Sequence, residues 1–371
     1  MNHSIYVGLS GGVDSAVAAA MLKAQGCQVT GVFIKIWQPE FIECTWREDR
    51  LDAMRVCAAL EIPFREIDLS EQYKKEVVDA MIADYARGVT PNPDVLCNRA
   101  IKFGAFAAWA RKQGASAVAT GHYARIKSEM SHVELMRATD GAKDQSYFLH
   151  TLTQQDLRFA IFPIGELPKA LVRKEAQRLQ LPVAQKPDSQ GLCFIGEVTM
   201  RDFLARYLPL TPGRVVEKSG RVIGEHEGAP LYTLGQRHGF TVRKGGGPYF
   251  VVGIDIPSNT VRVSKKRDDA ARGSVVLEHA SWTHHGPESE TDYLVQARYH
   301  EEPVRTRLAR RGEQWLVTFA KPHIASPGQS VVVYRPTPQG DVCLGGGIVS
   351  LTRSSQVKVQ DLKLVPMSTV Q

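Results

Sequence analysis

Hydrophobic positions along this chain follow one rhythm up to about residue 205 and another beyond it. In the first part, short apolar runs at Ile5–Leu9, Gln28–Ile34, Phe64–Leu69 and Ala115–Thr120 read as buried strands. Between them apolar residues recur at helical spacing. Val13, Val17, Ala20, Met21 and Ala24 mark a helix that stops at Gly26, and Leu51–Leu60, Tyr73–Ala86, Asn98–Gln113 and Leu171–Gln180 mark others. This alternation predicts an α/β fold with an open, doubly wound, mostly parallel sheet, whose ligand lies at the carboxyl ends of the strands. After about Leu208 the helical period disappears. Arg214–Glu217, Arg221–Gly224, Tyr249–Ile254 and Thr260–Ser264 predict a small β-rich domain. Ser274–Leu277, Tyr293–Tyr299, Val304–Leu308, Trp315–Phe319, Ser330–Tyr334 and Ile348–Leu351 predict a C-terminal β-barrel. The expected domains are residues 1–205, 206–272 and 273–371.

The turn after the first strand carries the first chemistry: Gly8-Leu9-Ser10-Gly11-Gly12-Val13-Asp14-Ser15. Two glycines let the backbone approach a ligand closely. Their N–H groups, the free amides of the first helical turn and the hydroxyls of Ser10 and Ser15 can converge on phosphate oxygens. No lysine follows the glycines, and the G-x-G-x-x-G spacing is absent, so the loop suits a leaving pyrophosphate better than γ-phosphoryl transfer. The stretch resembles the PP-loop of ATP pyrophosphatases, which activate a carbonyl oxygen by adenylation.

Charge changes the picture in one respect. Residues 1–205 carry 24 basic and 24 acidic side chains and residues 206–371 carry 22 and 15, so the net charge of +7 belongs to the second part. A basic surplus confined there suits a polyanion such as nucleic acid, although a solvated basic surface has the same composition. Arg298-Tyr299 and Arg305, Arg307, Arg310 and Arg311 fall on predicted barrel strands, where guanidinium groups can pair with phosphates and an aromatic can stack on a base. The same arginines would also guard an edge strand. No stretch approaches 18 apolar residues, so neither membrane span nor signal peptide is expected. Six dispersed cysteines (Cys27, Cys44, Cys57, Cys97, Cys193, Cys343) without C-x-x-C argue against a zinc knuckle or disulfide scaffold and fit a reducing cytoplasm.

Two cysteines lie in polar loops. Thr90-Pro91-Asn92-Pro93-Asp94-Val95-Leu96-Cys97-Asn98-Arg99 reads as a rigid turn that delivers Cys97 to a helix start near Arg99, an environment that favours thiolate. Asp188-Ser189-Gln190-Gly191-Leu192-Cys193-Phe194-Ile195-Gly196 carries the second, 96 positions later. Spacing alone does not connect them.

Taken together, these landmarks resemble the tRNA-specific 2-thiouridylase family over nearly the whole chain. The likeness rests on S-G-G-V-D-S at Ser10–Ser15, P-N-P-D-V-L-C-N-R at Pro91–Arg99, T-G-H-Y-A-R at Thr120–Arg125, K-D-Q-S-Y-F-L at Lys143–Leu149 and D-S-Q-G-L-C-F-I-G at Asp188–Gly196. Y-T-L-G-Q-R at Tyr232–Arg237, S-P-G-Q-S at Ser326–Ser330 and C-L-G-G-G-I at Cys343–Ile348 extend it. The resemblance implies ATP, with Mg2+, held by Gly8, Leu9, Ser10, Gly11, Gly12, Val13, Asp14, Ser15, Ile34 and Gly121. It implies Cys193 as persulfide carrier, Cys97 as the nucleophile that frees the sulfur, and Asp94 as a candidate acid/base group. Asn92, Pro93 and Asp94 would meet the target base, the wobble uridine of the anticodon arm. His122, Lys143, Asp144, Gln145, Arg298, Tyr299 and Gln329 would meet tRNA. Sulfur would arrive from a sulfur-carrier protein or a cysteine desulfurase. A resident metal is not expected, and an iron–sulfur cluster on Cys97, Cys193 and Asp94 is a disfavoured alternative. Two positions depart from the family pattern. Ile34 replaces the methionine whose backbone would meet adenine, and Ala100 follows Arg99 where an acidic residue is common.

Overall fold

The period-2 pattern of the first strand places Ile5, Val7 and Leu9 on one face and Tyr6 on the other, so that strand needs cover on both sides. In a computed structural model, which describes residues 3–42, 46–188, 191–192, 194–196, 198–243, 246–289 and 291–351, it has that cover. The N-terminal strands are β1 (Ser4–Gly8), β2 (Gln28–Lys35), β3 (Phe64–Asp68), β4 (Ala117–Ala119), β5 (Ala124–Ser128), β6 (Val133–Arg137) and β7 (Ala160–Ile161). Five of them form a parallel sheet in the order β3-β2-β1-β4-β7. On one face Ile5, Val7 and Leu9 pack with Val13, Val17 and Leu22 of helix α1 (Val13–Ala24) and with Val56 and Cys57 of helix α2 (Trp46–Ala59). On the other, Tyr6 and Val32 meet Phe103, Phe106 and Ala110.

Downstream, β8 (Gly213–Glu217), β9 (Val222–His226), β10 (Phe240–Val242), β11 (Phe250–Asp255) and β12 (Thr260–Ser264) form the small central sheet. The strands β13 (Arg272–Trp282), β14 (Asp292–Gln296), β15 (Val304–Arg311), β16 (Gln314–His323), β17 (Ser330–Arg335) and β18 (Val342–Val349) close into a six-stranded barrel through the β13–β18 pairing. Val295, Leu308, Val317, Val331 and Val333 are among the residues that fill it.

Beyond the parallel sheet, β5 and β6 form a hairpin, and β6 pairs with β18 through Met136 and Leu135, so the first domain adds two strands to the barrel sheet. Three expectations are corrected. Arg298 and Tyr299 lie beyond the end of β14, not on a strand. The edge-guard reading of the β15 arginines fails because β15 is paired with β14 on one side and β16 on the other. Finally, the helix predicted from Asn98 begins at Pro93, with Asn92 as its cap accepting from the Val95 amide at 3.4 Å. Asn-Pro-Asp is an N-cap followed by proline at the first helical position, a signal that reading the segment as a loop passed over.

At the junction of hairpin and barrel, Arg137 bonds Asp144 at 3.0 Å and Asp341 at 3.2 Å, and Asp144 is 5% exposed. Arg137→Ala leaves that carboxylate buried without its cation. It is expected to lower stability by about 3–5 kcal/mol, measured by urea denaturation.

Candidate active site

Helix α1 starts at the carboxyl edge of the sheet with Gly12 as its N-cap, and no side chain caps it. Its first-turn amides are therefore available to a ligand. Gly11 has φ +72°, and a Cβ there would collide with the backbone of Asp49. A Cβ on Gly121, in the turn after β4, would stand 2.5 Å from the Ser15 nitrogen and 2.6 Å from the Asp14 carbonyl carbon. Backbone thus approaches backbone on both sides of the turn, and side chains are excluded. Ser15 Oγ is 3.3 Å from Ser10 Oγ and accepts from the Ser10 amide at 3.2 Å. This cradle of amides and hydroxyls fits a pyrophosphate group.

Asp14 is held from behind. Lys169 Nζ bonds its two oxygens at 2.7 and 2.8 Å, and the Tyr123 hydroxyl donates to it at 2.8 Å. The same lysine reaches Asp188 at 2.8 Å, joining the glycine turn to the start of the second cysteine segment. Asp188 also pairs with Lys143 and Arg173. Burial pushes its pKa up, but the hydrogen bonds from Lys169 and Lys143 outweigh that and hold it at about 2.

A cavity of about 520 Å³ opens beside this turn. Ser10, Gly12, Asp14, Asp49 and Lys186 line its phosphate end, and Asp94, Asn98, Lys102, His122, Phe148 and Tyr299 line the other. The Phe148 and Tyr299 rings lie 4.3 Å apart between centroids and offer an aromatic wall. Burial raises the pKa of Asp94, partly offset by Lys102. The folded state therefore binds a proton that the unfolded chain releases at lower pH, and the stability contributed by this group falls as pH rises through the raised value. If Asp94 works as an acid/base group, the pH–rate profile should show a limb above the ordinary carboxylate range. Asp94→Asn should remove that limb, and an unchanged profile excludes the role.

Of the residues predicted to meet RNA, Lys143, Gln145, Tyr299 and His122 line the cavity. His122 is 7% exposed and bonds Thr120 Oγ1 at 2.6 Å, and burial keeps its imidazole neutral well below the ordinary pKa. Asp144 is turned inward. It accepts from Arg137, the Ala138 amide and the Ser146 hydroxyl, so it shapes the loop and does not face the cavity. Gln329 Nε2 donates to the Thr90 and Pro91 carbonyl oxygens at 2.8 and 3.2 Å, Thr90 Oγ1 meets Thr233 Oγ1 at 2.9 Å, and Arg298 donates to the Leu234 oxygen. The second and third parts of the chain thus both grip the segment that leads into Asn92. Ile34, at the end of β2, is half-buried beside Gly8.

Cys97 is the fifth residue of the 93–112 helix and buried at 7% exposure, one turn past the position expected for it. It packs with Tyr73, Met81, Ile101, Phe194 and Ile195. Cys193 lies outside the described residues, but the residues that follow it, Phe194 and Ile195, share this cluster with Cys97. Packing therefore connects two segments that spacing could not. The iron–sulfur alternative includes Cys193 and so falls outside the described residues. Among those that are described, no three Cys, His, Asp or Glu side chains gather as a metal site. No described helix is long and apolar enough to cross a membrane. Sequence reading passed over Asn98, Lys102, Phe148, Lys169 and Lys186. The recurrence of polar residues at Asp94, Asn98 and Lys102, every fourth position of a helix, was the available signal.

Comparison with known proteins agrees with this geometry. Residues 3–197 match the family model described as tRNA methyl transferase HUP domain, 201–265 its PRC-barrel domain, and 272–349 the aminomethyltransferase beta-barrel domain. The tRNA-specific 2-thiouridylase MnmA of Stenotrophomonas maltophilia (strain R551-3) is 44% identical over 360 residues, covering 94% of this chain and 93% of its own. The protein of the same name from Staphylococcus aureus (strain bovine RF122 / ET3-1) is 42% identical, covering 93% and 94%. Among solved structures, U34-tRNA thiolase NcsA from Methanococcus maripaludis overlays 55% of this chain and 65% of its own at a TM-score of 0.34 and 20% identity, too loosely to bear on function. Full-length likeness to curated relatives at this identity, over three matched domains, is decisive: the chain belongs to the tRNA-specific 2-thiouridylase family.

Proposed function

We propose that this protein replaces the C2 oxygen of the wobble uridine, position 34 of tRNA, with sulfur at the expense of ATP. What supports this most is a single cavity with a phosphate cradle at one end and an aromatic, polar base-sized end at the other, flanked by the Cys97 cluster. A uridine C2 oxygen is a poor leaving group. Attack of that oxygen on the α-phosphorus expels pyrophosphate toward the amides of Gly11, Gly12 and Ser15 and leaves an adenylated C2. Mg2+ would accompany the nucleotide as its counter-ion, and Asp14 and Asp49, each paired with a lysine, are the carboxylates that would face it. Ile34 and Gly121 border the adenine and phosphate positions.

Sulfur arrives as a persulfide on Cys193, delivered by a sulfur-carrier protein or a cysteine desulfurase. The Cys97 thiolate attacks the Cys193 sulfur, a Cys97–Cys193 disulfide forms, and hydrosulfide leaves. Hydrosulfide adds at C2, AMP departs, and an external dithiol reductant restores both thiols. Asp94 moves protons at the base, with Asn92 and Pro93 setting its approach. Lys143, Gln145 and Tyr299 face the RNA, while His122, Asp144, Arg298 and Gln329 hold the loops that do. The working division is residues 1–205 for ATP and chemistry, 206–272 as a connector and 273–371 for tRNA, in the cytoplasm. Incubation with ATP, a sulfur source and unmodified tRNA, followed by nucleoside mass analysis, tests the proposal. Absence of 2-thiouridine, or release of ADP in place of AMP, overturns it.

The outward arginines of β15 give a separate expectation. Log affinity for tRNA should fall linearly with log salt, by roughly 0.7–0.9 per phosphate contact, and Arg305→Ala should flatten the slope by about one contact. A parallel line for the variant removes Arg305 from the RNA surface.

A further inference from the structure

The 93–112 helix presents Asp94, Asn98 and Lys102 to the cavity from successive turns. Asn98 is 2% exposed, and its Nδ2 donates to the Phe148 carbonyl oxygen at 3.3 Å. That bond fixes the amide, because a flip would set oxygen against oxygen. Its Oδ1 is left as a buried acceptor with no hydrogen-bond partner. An unsatisfied buried acceptor is a cost in a folded protein, one that the donor of an ordered water or of a bound ligand relieves. Asp94, one turn before it on the same helix, is the other side-chain oxygen group on this wall. Lys102, whose Nζ lies 3.4 Å from His122 Nε2, offers donors only, and the Phe148–Tyr299 wall offers ring faces.

We propose that Asn98 is the residue that selects uracil, its Oδ1 accepting the N3–H of the splayed base. The inference rests on the function proposed above and adds a specificity determinant to it. Uracil presents a donor at N3 between two carbonyl acceptors. With N3–H on Asn98, one carbonyl is free for activation, and the other can take a hydrogen bond from the Lys102 ammonium. Cytosine carries the same C2 carbonyl and could undergo the same chemistry. Its bare N3 would face Oδ1 acceptor to acceptor, and its amino group would meet the Lys102 cation donor to donor. A site that sets this buried acceptor against N3 therefore refuses the base that the reaction alone would tolerate.

The test uses the full-length enzyme, ATP, sulfide as sulfur source and two tRNA transcripts that differ only in U34 or C34, with kcat/KM read from 2-thiouridine and 2-thiocytidine. Wild type should prefer U34 strongly. Asn98→Leu, close in volume and without the acceptor, should lower kcat/KM for U34 roughly 10- to 100-fold. It also removes the Nδ2 bond to the Phe148 carbonyl, a loss that U34 and C34 share, so the U34/C34 ratio is the readout and should collapse while ATP affinity holds. Equal losses on both substrates, or weakened ATP binding, would mean that Asn98 only supports the fold and would overturn the inference. An unchanged U34/C34 ratio would overturn it while leaving the thiolation reading intact, whereas no 2-thiouridine from wild type would remove both. If the variant does not fold, wild type on tRNA carrying 3-methyluridine at position 34 decides. A loss of about 100-fold or more is expected, and turnover within about threefold of the uridine substrate overturns the proposal.

Discussion

Gly121→Ala is expected to abolish ATP-dependent pyrophosphate release in a protein that still folds. The added Cβ would stand 2.5 Å from the Ser15 nitrogen and 2.6 Å from the Asp14 carbonyl carbon, and both are backbone of the first turn of α1. No rotamer relieves such a contact, so either the turn after β4 or the start of α1 must shift. Overpacking of this kind costs roughly 1–3 kcal/mol of stability, which a domain with this much buried surface can absorb. The consequence for binding is far larger. In the proposed function the amides of Gly12–Ser15 work as a set on one phosphate group, and a displacement of about 1 Å is enough to lose on the order of 100-fold in rate. Asp14 moves with them, and its Lys169 and Tyr123 bonds tie that movement to Asp188. Calorimetric ATP titration and a pyrophosphate-release assay, beside a thermal melt, measure the three quantities separately. Wild-type ATP affinity in a folded Gly121→Ala protein would exclude the turn as the phosphate cradle.

Strands β1, β2 and β3, both helical faces of the first sheet and the barrel were legible because each follows a repeating apolar period over several residues. What escaped was set by non-local pairing. β7 is two residues long and exists only because β4 lies beside it. The β5–β6 hairpin is read correctly only once β18 is in place, since the apolar side chains of Leu135 and Met136 are buried between domains. Asp144 was expected to meet tRNA, and it is buried. Its burial depends on Arg137, seven residues earlier, being turned toward it by that same hairpin. In the site, the geometry of the glycine turn was legible because it is local to eight residues. The polar stripe Asp94–Asn98–Lys102 was not, because the prolines suggested a loop where they in fact begin a helix. The partnership of the two cysteine segments was beyond any spacing rule, as it is made by Phe194 and Ile195 packing against the helix that bears Cys97.

That packing gives the last expectation its shape. Adenylation needs the phosphate cradle and a positioned base, so neither cysteine should be required for AMP–uridine formation. Sulfur delivery needs a thiol that a donor can reach, and Cys97, buried at 7% exposure in an apolar cluster, is poorly placed to receive a bulky donor. On the proposed route Cys193 is therefore the loading site and Cys97 the resolving one. Cys193→Ser should eliminate persulfide on the protein and 2-thiouridine in the RNA, while pyrophosphate is still released once per tRNA bound. Cys97→Ser should still load Cys193 yet accumulate it, with turnover reduced by about 100-fold or more, in line with loss of a nucleophile that acts in covalent catalysis. Cys57 and Cys343 provide the contrast. Burial pushes their thiols up to about 11 and about 12, so they are protonated and inert at neutral pH, and Ser in their place should cost stability and not sulfur transfer. Cys27 lies in the turn between α1 and β2 and should tolerate Ser or Ala. Labelled sulfur from a donor, followed by peptide mass mapping and nucleoside analysis of the same samples, reads all of these at once. Label on Cys97 in the wild type, together with 2-thiouridine still made by Cys193→Ser, would reverse the two roles.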